Sequence, residues 1–413
     1  MNEKNYPEYF RYSNDFEPVP AVVLGSHKIG LGIIRALGIK KIPVVSVYYN
    51  DFDMGIASKY VIEKVKIENP LINEEKFINR LVELSGKYNN AVLFASDDPT
   101  LVAVSKFKNL LAGYYKVEAP DYALLDKIIT KTNTYALAEK ISVRCPKTFH
   151  PKDFNEALNY LNFLNGKCIL KPSVSHLFFN IFKEKMLLIN SEPELRNAYK
   201  KISGYGLEMM LQEFIPGDDE CGINYNTFSV NGEVLIEFTA RKKRLSPTRI
   251  GFPVVIESKW IPEVRTSGKK IIKELGYTGF SCMEFKRHNL TGEYVLMEVN
   301  GRQNLSAPLA VMCGYNFPYI TYRYLLDKSV PVITSDYEKG VYWVDTGKDM
   351  MQYLPLLIKG EYSFSKFLKP YLSKKVFTIY DLKDIKPFVK RIFDATKFIK
   401  SKLFNKIGIK YAS

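Results

Sequence analysis

The residues best able to do chemistry lie in two segments, FSCMEFK (280–286) and EYVLMEVNGRQN (293–304). Six residues, RHNLTG, mainly polar with a closing glycine, separate two apolar runs, so the pair reads as an antiparallel hairpin. In that hairpin Glu284 falls opposite or nearly opposite Glu298, and the period of two puts Asn300 on the face of Glu298. Like charges across a strand pair repel, and two carboxylates at one site cannot both stay ionised without compensation. A divalent cation would supply it, and an oxygen-only ligand set selects Mg²⁺ or Mn²⁺. The alternative is a solvated hairpin face whose acids have no joint role. Arg302, just past the strand, adds a guanidinium suited to phosphate or carboxylate.

Other charged groups accompany the hairpin. Lys171 ends an apolar strand, CILKP, a position lysine rarely takes unless paired or functional. Lys131 opens a helical segment, KTNTYALAEK. In QEFIPGDDE (212–220) an apolar strand runs into a glycine turn and then an acid, an arrangement able to hold a purine on backbone groups and a ribose on Glu220. ARKKRLSP sets Arg241, Lys242 and Arg244 at one strand end, a dense positive site for phosphate or carboxylate. Each alone reads equally well as a solvated basic residue.

The elements that must position these groups begin at residues 20–48. The run AVVLG, a helix with Ile29, Ile33, Ile34 and Leu37 on one face, and the run PVVSVY form a β–α–β unit, which implies parallel strands. Gly25, Gly30 and Gly32 do not make GxGxxG, so they read as permitting a tight strand-to-helix turn more than as gripping phosphate. A further strand, AVLFAS, ends in Asp97-Asp98-Pro99, where open α/β sheets bind ligands. From residue 185 the strands look antiparallel, with turns at Asn231-Gly232 and Thr291-Gly292.

Composition excludes several classes. The 413 residues, 46% hydrophobic and 25% charged, suit two or three soluble domains. No apolar run approaches the roughly 20 residues that span a bilayer. Five scattered cysteines without a CxxC pair, and four histidines, argue against a disulfide framework or a zinc site. The net charge of +15 favours anionic partners, but no nucleic-acid motif accompanies it and no nucleic acid is expected.

Taken in order, these segments resemble the ATP-grasp superfamily over residues 20 to 330. VVLGSHKIGLGIIRALG looks like the opening of the Rossmann-like domain that precedes the grasp. KTNTYALAEKISVRCPKTF, ILKP, LQEFIPGDDE, CMEFK and MEVNGR follow in the family's order. The resemblance implies an α/β chain with three parts. These are a Rossmann-like domain (1–125), an ATP-grasp domain (126–330, lobes about 126–210 and 211–330) and a basic, mainly helical region (331–413). It also implies ATP and Mg²⁺ (or Mn²⁺) as cofactors. Lys131 and Lys171 would bind ATP phosphates, with Lys242 and Arg244 beside them. Gln212, Glu213, Phe214 and Ile215 would hold adenine, and Glu220 the ribose. Glu284, Glu298 and Asn300 would bind the metal, and Arg302 the transferring phosphoryl group or the acyl-phosphate.

The chain departs from the family at two places. Relatives often begin the lysine helix with Asp-Lys, so Lys127, preceded by Asp126, competes with Lys131. The segment PSVSHLFFN after Lys171 lacks the family's glycine-rich phosphate flap. Within the superfamily, FTARKKRLSP and EVNGRQNLSAPLAVMCGYNFPY look most like carboxylate–amine ligases of the D-aspartate ligase type. Such ligases phosphorylate a small-molecule carboxylate and let an amine attack the acyl-phosphate. A non-catalytic nucleotide-binding regulator on the same fold is the alternative.

In the C-terminal segment FVKRIFDATKFIKSKLFNKIGIKY (388–411), Phe388, Ile392, Phe393, Phe398, Ile399, Leu403 and Ile407 recur at helical spacing among lysines. Two readings follow: a helix packed on its domain with a solvated lysine face, or an interfacial helix drawn to anionic lipid. The second would suit work on the cell envelope or a surface polymer. The absence of a signal-like N-terminus leads to a cytoplasmic placement, with that membrane contact in addition.

Overall fold

The computed structural model describes residues 10–12, 17–172, 186–204, 209–249 and 251–406. Most of the segment expected to cover the phosphates, 172–180, lies outside the described residues.

The three central strands of the N-terminal sheet are apolar almost throughout because helices cover both its faces, while the two edge strands carry charged residues. Five parallel strands stand in the order Val61–Lys66, Val44–Tyr48, Ala21–Leu24, Val92–Ala95, Lys116–Glu118. Sterics explain the glycines of the first turn, since a Cβ at Gly30 would lie 1.9 Å from the Gly25 carbonyl oxygen. That is the close strand-to-helix approach expected of them. At the next switch in strand order, Asp97 caps helix Asp98–Lys106 by accepting from the Thr100 amide. Asp98 thereby sits in the first turn, at the carboxyl edge of the sheet.

Two further sheets follow, antiparallel except where Tyr342–Val344 and Lys375–Phe377 of the larger one pair in parallel. The smaller has the order Thr148–Phe149, Met209–Glu213, Cys168–Pro172, Leu187–Ile189. The larger has seven strands: Tyr294–Asn300, Gly279–Arg287, Gly222–Val230, Glu233–Ser246, Phe252–Ser258, Tyr342–Val344 and Lys375–Phe377. Along Gly279–Arg287 alternate residues face opposite ways. Met283 and Phe285 join the core under helix Arg265–Leu275, while Phe280 and Cys282 join the core around Trp343. Glu284 continues the second face beyond that core.

Residue 125 falls inside helix Tyr122–Ile129, whose Leu125 and Ile128 pack in the core with Leu296 and Val299. Residue 210 falls inside strand Met209–Glu213, which pairs with the Lys171 strand and so belongs to the smaller sheet. The region after 330, expected to be mainly helical, adds two strands to the large sheet beside its helices. In helix Lys386–Lys406, Phe388 is half-buried, its ring 5.2 Å from Tyr380. The side chains of Phe398, Ile399, Leu403 and Ile407 lie outside the described residues. Among the described residues no helix is long and apolar enough to cross a membrane.

Candidate active site

The hairpin register places Glu284 directly opposite Glu298 and Cys282 opposite Asn300. A bulge after Glu284 leaves Met297 without an opposite residue, so the two acids share one face. Strand Gly222–Val230 sets Asn224 beside Glu284, and Lys242 on the next strand reaches across to pair with Glu284. Glu298 is pushed above the ordinary carboxylate range by burial and by the facing Glu284, with Lys131 only partly offsetting this. Burial also opposes the charge on Glu284, but Lys242, Lys131 and Arg302 outweigh it and hold this carboxyl low. The pair is thus one ionised carboxylate beside a strained one.

Lys171 enters from the smaller sheet. It donates to Gln212 Oε1 at 2.6 Å, and Gln212, fully buried, directs its Nε2 at the Tyr135 and Thr148 hydroxyls. Burial, reinforced by the neighbouring Lys131, brings the Lys171 ammonium down to about 7. Lys131 itself opens helix Lys131–Lys140 and acts electrostatically on Lys171, Glu284 and Glu298 together. Lys127 is exposed one turn earlier, and its field acts on Glu274 outside this cluster. The structure therefore brings Lys131, not Lys127, to the paired acids.

Arg302 is held by Asp98 of the N-terminal sheet through two bonds, Nε–Oδ1 at 2.6 Å and Nη2–Oδ2 at 2.8 Å. Burial disfavours its charge, but Asp98 more than restores it. A forked bond of this kind fixes the guanidinium plane. Converting Arg302 to lysine keeps the charge and loses the fork. We expect turnover to fall about 10- to 100-fold while nucleotide affinity changes little, read by kcat beside an ATP titration.

Several expected residues stand elsewhere. Arg244 is not at the site. A bulge at Lys243 shifts the register between Lys242 and Arg244, turning Arg244 to the other face of the sheet. There it is buried against Asp349 Oδ2 at 2.8 Å and the Phe367 carbonyl. Arg241 also faces away from Lys242, on the side of its partner Ile223. Glu220 pairs with Lys243. Gln212 positions Lys171 and offers no free side-chain amide. Glu213 binds Arg144 and the Lys147 amide. Phe214 lies under Lys167 and Lys286, and Ile215 is buried. Among the described residues the peptide groups of Phe214 and Ile215 make no backbone hydrogen bond, leaving them available to a base. Asp98 was visible in the sequence as a polar group at a strand end, but its partner is 204 residues away.

Among the described residues no group of three or more His, Cys, Asp or Glu could hold a metal alone. The donors present are two facing carboxylates and the buried Asn300, and beside Glu284 the buried Asn224 Oδ1 has no hydrogen-bond partner among the described residues. This oxygen set fits Mg²⁺ sharing its shell with phosphate and water.

A Rossmann-like sheet followed by two largely antiparallel sheets is the layout of the ATP-grasp fold. The model of the carbamoyl-phosphate synthase L chain ATP-binding domain matches residues 253–324. The chain is 25% identical over 316 residues to D-aspartate ligase of Enterococcus faecium, covering 71% of this chain and 74% of that protein. The biotin carboxylase domain of Hydrogenobacter thermophilus 2-oxoglutarate carboxylase, solved with MgADP and bicarbonate, superposes with TM-score 0.62 at 18% identity, over 78% and 73% of the two chains. L-amino acid ligase from Bacillus licheniformis gives TM-score 0.58 at 15% identity, over 77% and 76%. The chain has the ATP-grasp fold, as the sequence leads one to expect, and ATP and Mg²⁺ are the cofactors of that fold.

Proposed function

We propose that the protein is an ATP- and Mg²⁺-dependent ligase that activates a small-molecule carboxylate as its acyl-phosphate and joins it to an amine. The observation that carries this reading is Glu284 facing Glu298 while Lys131, Lys171, Lys242 and Arg302 surround them. Glu284, Glu298 and Asn300 would hold Mg²⁺, which when bound supplies charge neutralisation to the phosphate oxygens. Lys131 and Lys171 orient the triphosphate from two sides. Arg302, held rigid by Asp98, stabilises charge developing on the transferring phosphoryl group. No protein nucleophile is required, because phosphoryl transfer depends on positioning and electrostatics.

Likeness to D-aspartate ligase and L-amino acid ligase supports an amino acid as one of the two substrates. A role in cell-envelope or surface-polymer metabolism is the finer part of the proposal, supported by a basic C-terminal segment suited to work beside an anionic membrane. The test is ADP release with Mg-ATP across D- and L-amino acids and small carboxylates, with mass detection of the product. Turnover with no acceptor pair, or an ATP-bound protein inert across the panel, would count against a ligase.

Lys171 sets a pH dependence. Its folded pKa, about 7, is depressed from the ordinary lysine value, so it loses its proton as pH rises through that point. Anionic phosphates bind the charged form, so ATP binding should take up a proton above pH 7 and weaken by at most about tenfold per pH unit. Titration calorimetry between pH 6 and 8 in buffers of differing ionisation enthalpy measures the uptake. Lys171→Met should bind more weakly and without that slope.

A further inference from the structure

We infer that the outward face of residues 382–397 is a docking surface for an anionic lipid bilayer. The inference sharpens the membrane-side placement in the proposed role and needs none of the ligase chemistry.

An ordinary surface helix turns its apolar stripe inward and its charges outward. This segment has an apolar stripe on each side. Its inner side is anchored to the N-terminal domain. Asp384, buried, accepts from Arg35 Nε at 2.9 Å, Ser58 Oγ at 2.7 Å and the Lys59 amide at 2.8 Å. Lys390 reaches the Asp51 carbonyl at 2.6 Å and Asp394 at 2.8 Å, and the helix packs on the turn Met54–Ala57. Phe388 and Pro387 also face inward. That anchoring fixes which side is left to solvent.

The solvent side carries Leu382, Val389, Ile392 and Phe393, exposed by 80%, 56%, 49% and 58%, with Ile385 at their edge. At 100° per residue, Ile385, Val389, Ile392 and Phe393 fall within an arc of about 100°. Lys386 and Lys397, both exposed, flank the arc on one side, Thr396 lies within it, and Arg391 is exposed farther round the helix. Both acids of the stretch, Asp384 and Asp394, are turned inward, so no carboxylate opposes an anionic partner there. An apolar stripe with cations along one rim and no acid on its face matches the lipid interface, where side chains enter the headgroup boundary and lysines meet phosphates. Beyond the described side chains the sequence continues with Lys400, Lys402, Lys406 and Lys410 and no acid, consistent in sign.

The test is co-sedimentation of the full chain with vesicles of phosphatidylcholine alone and of phosphatidylcholine mixed equally with phosphatidylglycerol. Pelleting with the anionic vesicles only, reversed by high salt, is expected. Ile392→Ser with Phe393→Ser, and separately Arg391→Glu with Lys397→Glu, should each lower the bound fraction at least about tenfold. Exposed substitutions should leave the melting temperature and ATP turnover in solution unchanged. Three results would overturn the inference: no binding of the parent chain, full binding by both variants, or a solution dimer lost in the variants without vesicle binding. Since sedimentation needs no turnover, an inert ligase with vesicle binding and an active one without it are distinguishable.

Discussion

Replacing Glu298 by glutamine is expected to leave a folded protein whose ATP turnover falls by at least about a hundredfold, or roughly 3 kcal/mol of transition-state stabilisation. The substitution keeps the shape of the side chain and removes one of two facing carboxylates. It should not harm the fold. The folded pKa of Glu298 lies above its unfolded value, so the folded state holds more protons within that interval. Stability therefore falls as pH rises through the window, and the glutamine variant escapes the loss. Its melting temperature at neutral pH should equal or exceed that of the parent. Full turnover in a well-folded Glu298→Gln chain would remove Glu298 from the metal site.

The second large effect lies far from the chemistry. Asp349→Ala should destabilise the protein by about 3–5 kcal/mol, because it strands the Arg244 guanidinium in the interior. Arg244 and Asp349 expose only 1% and 0% of their side chains, and Tyr371 donates to the same Asp349 oxygen at 2.6 Å. Aromatic rings of Tyr353 and Phe367 lie 5.3 and 5.1 Å from the guanidinium carbon. Removing both charges, as Arg244→Met with Asp349→Leu, should recover most of that loss. Denaturant midpoints of the two variants measure the difference. Equal destabilisation by the single and double variants would show that packing, not the stranded charge, dominates.

Arg244 also shows how far the sequence could be read. Strand alternation is local, so the positions of Glu284, Glu298 and Asn300 followed from counting along a hairpin whose ends were legible. The same counting failed for Arg244. One extra residue at Lys243 turns Arg244 to the opposite face before the register is restored at Leu245, and nothing in RKKR marks which residue bulges. The packing of helix Tyr122–Ile129 and strand Met209–Glu213 was out of reach for a related reason. A helix or strand belongs to whatever it packs on, and those partners are distant in the chain.

The sequence by itself determined the class: a β–α–β opening, two lysines in separate elements, and a hairpin ending in Glu, Asn and Arg, all patterns of short range and definite period. The tertiary structure alone decided which charges meet. It chose Lys131 over Lys127, gave Arg302 its clamp at Asp98, paired Lys242 with Glu284 and buried Arg244 against Asp349. It also showed that the C-terminal helix turns an apolar face outward, where the sequence left open a solvated lysine face. Charge and burial are properties of neighbours, and for these residues the neighbours lie tens to hundreds of positions away.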